Sequence, residues 1–251
     1  MTASTEQRLS ELKVAARREW QQRQTRRSKP AQQPKPRAWR GLFSELVLSL
    51  LKLLFVVSLP FVVLVRAATF FYADEGYPGW LALAAAGLLT LAVLTLYGTW
   101  LSRTLTGRAR IALVAKWVAL PLVLGYCGYA LVYLSRLNAK SPAVREAYLS
   151  THPVLRIALS TVILADDGLV ITDLRRQPAD YARMGLPANE RTLHYRQADG
   201  WVHAVDLRTE GRGAMTNRMV QLYFWAMGFE TLRHTGTGDH LHVQLALTRG
   251  P

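Results

Sequence analysis

The sequence holds one cysteine, Cys127, in 251 residues. That excludes an intrachain disulfide and any thiolate cluster of the kind that closes structural zinc sites. A bound metal must rely on histidines and carboxylates. Acidic residues are also scarce: 17 Asp and Glu stand against 31 Lys and Arg, for a formal net charge of +14. So basic a chain invites a nucleic-acid reading, but half of its residues are hydrophobic, and the two properties are segregated. Eleven of the Lys and Arg fall in the first 40 residues, and the longest apolar runs follow directly. Only Trp20 and Trp39 offer aromatic faces in that tail, so it lacks the aromatic interleaving of a nucleic-acid binder, and no nucleic-acid partner is expected. No small-residue cleavage site follows an early apolar core, so no cleavable signal peptide is expected either.

Charge is nearly absent from three further stretches. Leu46–Val65, Trp80–Leu101 and Ile111–Leu134 each reach the roughly twenty apolar residues that a bilayer core requires. Lys52 and Lys116 sit near the ends of their runs, where an ammonium can snorkel to the headgroups. The 102–110 loop carries Arg103, Arg108 and Arg110, whereas the 66–79 loop sets Arg66 against Asp74 and Glu75. The positive-inside bias then predicts a cytoplasmic N-terminus and three crossings, leaving residues 136–251 outside the cytoplasm. The organisation expected is a basic cytoplasmic tail over 1–40, a membrane domain over 41–135 and an extracytoplasmic domain over 136–251. Within the tail, a helix is expected around Glu6–Gln24, followed by a flexible, Pro-containing linker.

The last third of the chain changes character. Ser141-Pro142 reads as a helix start, and Val154–Ala165 continues in helical fashion. Leu169–Thr172 reads as a short buried strand after the Asp166-Asp167-Gly168 turn, and Asp180–Met184 as a helical turn. Two strand-like segments flank Ala198-Asp199-Gly200, a connection suited to a hairpin whose paired residues face Gln197 to Trp201. Asn217–Met227 reads as a helix ended by Gly228, and Thr231–Arg233 and His242–Leu247 alternate as strands. The fold class expected is three transmembrane α-helices followed by a small α+β domain with an antiparallel sheet. In the hairpin register, His194 and Asp206 share one face while His203 points to the other. Asp239 and His242 lie three apart at a strand entrance, where a turn can bring both to one site. His240 joins His242's face only if its strand begins early.

Two histidines and one carboxylate, with a position left for water, make a catalytic zinc arrangement, and a further carboxylate can serve as general base. In order along the chain, these residues resemble metallopeptidases of the D-alanyl-D-alanine carboxypeptidase type, which share a Hedgehog-like zinc fold. That family runs Ser-x-x-Arg, then Ser-x-His-x-x-Gly-x-Ala-x-Asp, then Asp or Glu-x-x-His. Thr172-Asp173-Leu174-Arg175 resembles the first motif, Thr192-Leu193-His194 and Ala204-Val205-Asp206 the ends of the second, and Asp239-His240-Leu241-His242 the third. The resemblance covers roughly residues 150–247. It implies His194, Asp206 and His242 as ligands of Zn2+, Asp239 as the base and Arg175 as the group that binds substrate, with His203 as a reserve ligand. The family places six residues between its first His and the Asp; here eleven separate His194 from Asp206, and Asp199 stands in the register of the family's His.

The resemblance implies a zinc peptidase anchored in a bacterial cytoplasmic membrane, with cell-wall stem peptide as substrate and the lipid bilayer as its other partner. The lengthened His194–Asp206 spacing favours a second class, a non-catalytic module that binds cell-wall peptide or a membrane partner. The sequence leaves the oligomeric state open.

Overall fold

The computed structural model describes residues 3–27, 39–183, 185, 187, 191–236 and 238–247. Most of the linker expected before residue 40 lies outside these, as do Met184 and Thr237. The N-terminal helix α1 spans Ala3–Arg27. Among the described residues, three helical stretches are long and apolar enough to cross a membrane: Phe43–Asp74, Gly79–Thr106 and Ile111–Val132. The first is longer than its apolar run, because helix α2 (Trp39–Thr69) starts early and passes without a break into a π-helical turn, Phe70–Asp74. The second is helix α3 (Gly79–Thr106). The third combines α4 (Ile111–Val114), a π-turn over Ala115–Ala119, and α5 (Leu120–Val132). Ala82, Ala86 and Thr90 form a buried small-residue stripe on α3, which lets neighbouring helix backbones approach closely.

The described residues from 55 to 247 form one compact unit. Its centre is α7 (Pro153–Ala165), in which every residue from Pro153 to Ser160 is buried. A helix apolar all round needs partners on all sides. It finds α3 and α5 on one side and the sheet and α9 on the other, so one end of the long apolar helices and the C-terminal sheet share a single core. The last carbonyls of α5 lack partners within their own helix. Tyr148 Oη donates to Ala130 O at 2.6 Å, and Arg156 Nη1 donates to Leu131 O. A buried cation at a helix C-terminus also complements the helix dipole. Ser141 caps the short helix α6 (Pro142–Ala147), as its Ser-Pro signal predicts.

Among the described residues, the sheet has four antiparallel strands in the order β1-β2-β4-β3. They are β1 (Ile171–Asp173), β2 (Ala204–Arg208), β3 (Glu230–His234) and β4 (His240–Gln244), with α8 (Pro178–Arg183) after β1 and α9 (Ala214–Ala226) between β2 and β3. The period-two alternation sorts the residues cleanly. Val205, Leu207, Leu241 and Val243 are buried in the core with α7 and α9. Asp206, His240, His242 and Gln244 lie on the opposite face. Gly228 ends α9 with φ 93°, and a Cβ there would stand 3.0 Å from Thr69 Cγ2, so both conformation and close approach require glycine.

One expected pairing is corrected. The hairpin tip forms as expected, with Gln197 N–H donating to Trp201 O at 2.8 Å and Arg196 bridging Val202. Beyond that bridge the register of His194 against Ala204, and of Thr192 against Asp206, does not continue. Residues 192–195 make a turn instead, in which Tyr195 N–H donates to Thr192 O. Both edges of β2 are already filled, by β1 and β4, so Asp206 pairs with Asp173 on one side and His242 on the other.

Candidate metal centre

Three elements converge on the open face of the sheet. β2 presents Asp206, β4 presents His242 directly across the ladder, and the turn after α8 presents His194. His242 Nδ1 lies 2.8 Å from Asp206 Oδ1, His194 Nε2 lies 3.2 Å from the same oxygen, and the two nitrogens are 3.3 Å apart. Atoms held about 2.0–2.1 Å from one tetrahedral ion lie about 3.3 Å from one another. The three therefore stand at the spacing of three corners of such a site, and they could hold a metal ion.

The outer hydrogen bonds decide which atoms carry protons. A backbone carbonyl only accepts, so His194 Nδ1–H donates to Leu174 O at 2.6 Å and Nε2 keeps its lone pair. For His242 the assignment passes through two residues. The Glu230 carboxylate accepts from the Gln244 amide, which turns Gln244 Oε1 toward His242 Nε2 at 3.1 Å. His242 Nε2 must then donate, and its Nδ1 is left as the lone pair facing Asp206. Two imidazole lone pairs and a carboxylate oxygen point at one another, an arrangement that repels unless a cation stands among them. A proton bridges one pair of these atoms; a metal ion serves all three.

Arg176 fixes the carboxylate. Its Nη2 donates to Asp206 Oδ2 at 2.6 Å and its Nε to Asp173 Oδ2 at 2.6 Å, leaving Asp206 Oδ1 for the cluster. Burial alone would raise the Asp206 pKa, but the adjoining His194 and His242 rings, which without a metal can bring a proton against the carboxylate, and then the Arg176 charge hold it well below the usual carboxylate range. Burial works against a charge on His242 as well, and there the Asp206 carboxylate outweighs it and raises the imidazole's pKa. A cavity of about 630 Å³ opens over the cluster, walled by Tyr181, Arg191, Leu232 and His234 among others.

The remaining residues singled out from the sequence fall elsewhere. Arg175 is exposed and does not line this cavity, and Arg176 occupies the inward position. A register shift between Ile171 and Asp173 separates this edge from regular alternation. Asp239 shares the parity of Leu241, not of His242. It pairs with Arg233 at 2.6 Å and accepts from Thr209 Oγ1 at 2.8 Å, and these bonds, Arg233 first, hold its pKa down to about 2. His240 is the residue the strand brings in, because β4 begins there. Its Nδ1–H donates to Gly238 O at 2.6 Å, so its Nε2 lone pair faces Asp206 Oδ1 at 3.8 Å.

His203 lies on the other face and belongs to a second group with His152 and Asp199. His203 Nε2 donates to Asp199 Oδ2 at 2.9 Å, and Tyr72 Oη contacts the same oxygen at 3.4 Å. His152 caps α7, its Nδ1 accepting from Val154 N–H at 3.3 Å. That bond leaves the proton on Nε2, which rests against Gly79, where a Cβ would come within 2.4 Å. The second group thus offers a donor where a metal needs a lone pair. Sequence spacing gave no sign of His152, which stands 47 residues before Asp199.

Burial, and then the neighbouring His203, lower the His152 pKa from 6.5 to about 3, against the pull of Asp199. The unfolded chain takes up a proton below about pH 6.5 that the folded chain refuses, so this group's stability is full above that pH and declines as pH falls toward 3. The expected slope approaches about 1.4 kcal/mol per pH unit. His152→Asn, which keeps a capping oxygen, should flatten the fall in denaturation midpoint between about pH 6 and pH 4. Equal slopes for the two proteins would refute the assignment.

Compared with protein-family models, with curated proteins and with solved structures, the chain matches none.

Proposed function

We propose that the C-terminal domain is a zinc-dependent peptidase acting on cell-wall stem peptides, held at a bacterial cytoplasmic membrane with the sheet on its outer side. The observation that carries this reading is the convergence of three lone pairs, from His194 Nε2, His242 Nδ1 and Asp206 Oδ1, under an open cavity. Two imidazoles, one carboxylate and a free position form the donor set of hydrolytic zinc. Zinc there would supply Lewis acidity, polarising a scissile carbonyl and acidifying a bound water.

The protein's own groups divide the remaining work. Arg176 holds Asp206 in one rotamer, and Gln244 and Leu174 O hold the two imidazoles in the ligating tautomer. His240 takes the role expected of Asp239: its Nε2 accepts a proton at the cavity and returns it to the departing amine. Asp239, an anion already committed to Arg233, positions the entry to β4. His240→Gln should lower peptide hydrolysis about 10²–10⁴-fold while the protein keeps its metal. Asp239→Asn should leave turnover within about threefold, because a base engaged elsewhere contributes little to proton transfer. Turnover assays on stem-peptide fragments check both, and the reverse pattern would restore Asp239 as the base.

That neither Asp239 nor Arg175 lines the cavity over the cluster supports one alternative, a non-catalytic module that binds cell-wall peptide on the same face. Peptide binding that survives chelation, with no cleavage, would establish that reading.

A further inference from the structure

Helix α9 carries an exposed apolar stripe that the proposed peptidase site does not use. Met215, Met219 and Leu222 are 73%, 58% and 52% exposed, and Trp225 is 68% exposed. At about 100° per residue, Met215, Met219, Leu222 and Ala226 fall within about 60° of one another. The rest of the circumference is accounted for. Val220 and Phe224 enter the core beneath the sheet, and Gln221 contacts Thr231 of β3. Tyr223 Oη donates to Ala158 O of α7 at 2.9 Å. Trp225 and Arg218 lie about 60–80° to the other side of the stripe.

The depth of this helix follows from its attachments. Tyr126, six residues before the end of the third span, bonds Thr161 of α7 at 2.6 Å and packs edge-on against Phe61 of the first. Tyr223 joins the same stretch of α7, and the end of α9 at Gly228 abuts Thr69 and Arg66 of α2. Helix α9 is therefore fastened, directly at Gly228 and through α7 at Tyr223, to the outer ends of the first and third spans.

We propose that α9 lies in the membrane interface, with the Met215–Met219–Leu222 stripe at the boundary of headgroups and acyl chains and with Arg218 among anionic headgroups. An apolar stripe flanked by Trp and Arg is the pattern of an interfacial helix. Because α9 packs on the sheet face opposite His194, Asp206 and His242, this seat turns the cavity away from the bilayer, toward material beyond the leaflet.

The test uses the full chain with Cys127→Ala, reconstituted in phosphatidylcholine–phosphatidylglycerol vesicles. Nitroxide labels are placed at Met219→Cys, Leu222→Cys and, as an exposed reference, Glu210→Cys. Labels at 219 and 222 should be relaxed more by oxygen than by a water-soluble nickel complex, and the label at 210 the reverse. Quenching of Trp225 by brominated lipid, taken as the difference from Trp225→Phe, should agree. Nickel accessibility at 219 and 222 equal to that at 210 would overturn the proposal. So would spin–spin broadening there with neither reagent effective, which would seat a second copy on the stripe. The readout needs neither an ion at His194, Asp206 and His242 nor turnover, so its outcome is independent of the peptidase reading.

Discussion

Asp206→Ala is expected to abolish metal binding at the proposed site and to lower the stability of the chain by about 3–5 kcal/mol, the cost of breaking a buried ion pair from one side. Asp206 is 3% exposed, accepts from Arg176 and stands between the ring nitrogens of His194 and His242. Its removal strips one donor from the cluster and leaves Arg176, largely shielded from water, with Asp173 as its remaining carboxylate. Asp206→Asn keeps the volume but presents an amide, a poor ligand, and should lose metal with a smaller loss of stability. Metal analysis and denaturant melts of the detergent-solubilised chain read both effects. A variant that kept its metal would place the ion elsewhere.

Gln244→Leu is expected to weaken metal binding about 10–100-fold, as changes to groups that orient metal ligands do, with little change in the melt. The reason is tautomeric. Without Gln244 Oε1, His242 Nε2 loses its acceptor, and the imidazole can move its proton to Nδ1, the atom that faces Asp206. Glu230→Gln should act in the same direction and more weakly, because it frees the Gln244 amide to flip without deleting it. Competition with a coloured chelator measures both. Unchanged affinity in Gln244→Leu would break the chain of assignment from Glu230 to His242.

Much of this was legible from the residues alone. The three apolar stretches read as helices because runs of about twenty apolar residues match the length at which a helix, with its backbone bonds satisfied internally, can cross a bilayer. Strand parity separated His203 from Asp206 without any knowledge of the partners. It also held the answer for the Asp239–His242 stretch: a strand starting at His240 puts 240 and 242 on one face and 239 on the other. What parity could not supply was the neighbour of each strand. β4 inserts between β2 and β3, and that long-range choice sets His242 against Asp206, while the turn over 192–195, in place of the hairpin register, brings in His194. The irregular register at Asp173, which accompanies the inward turn of Arg176 in place of Arg175, left no mark in the sequence. Nor did the apolar character of α7 reveal that it joins membrane helices to sheet in one core. For that reason experiments belong on the full chain, since residues 141–251 alone would expose the α7 surface that α3 and α5 cover.

The most direct test is the metal content of the full chain, purified without chelators and compared with His242→Ala and His203→Ala. Convergent lone pairs at His194, Asp206 and His242 call for about one zinc per chain, lost in His242→Ala and retained in His203→Ala. Metal-free wild-type protein with a cooperative melt would contradict the account, and so would metal that leaves with His203 and stays without His242.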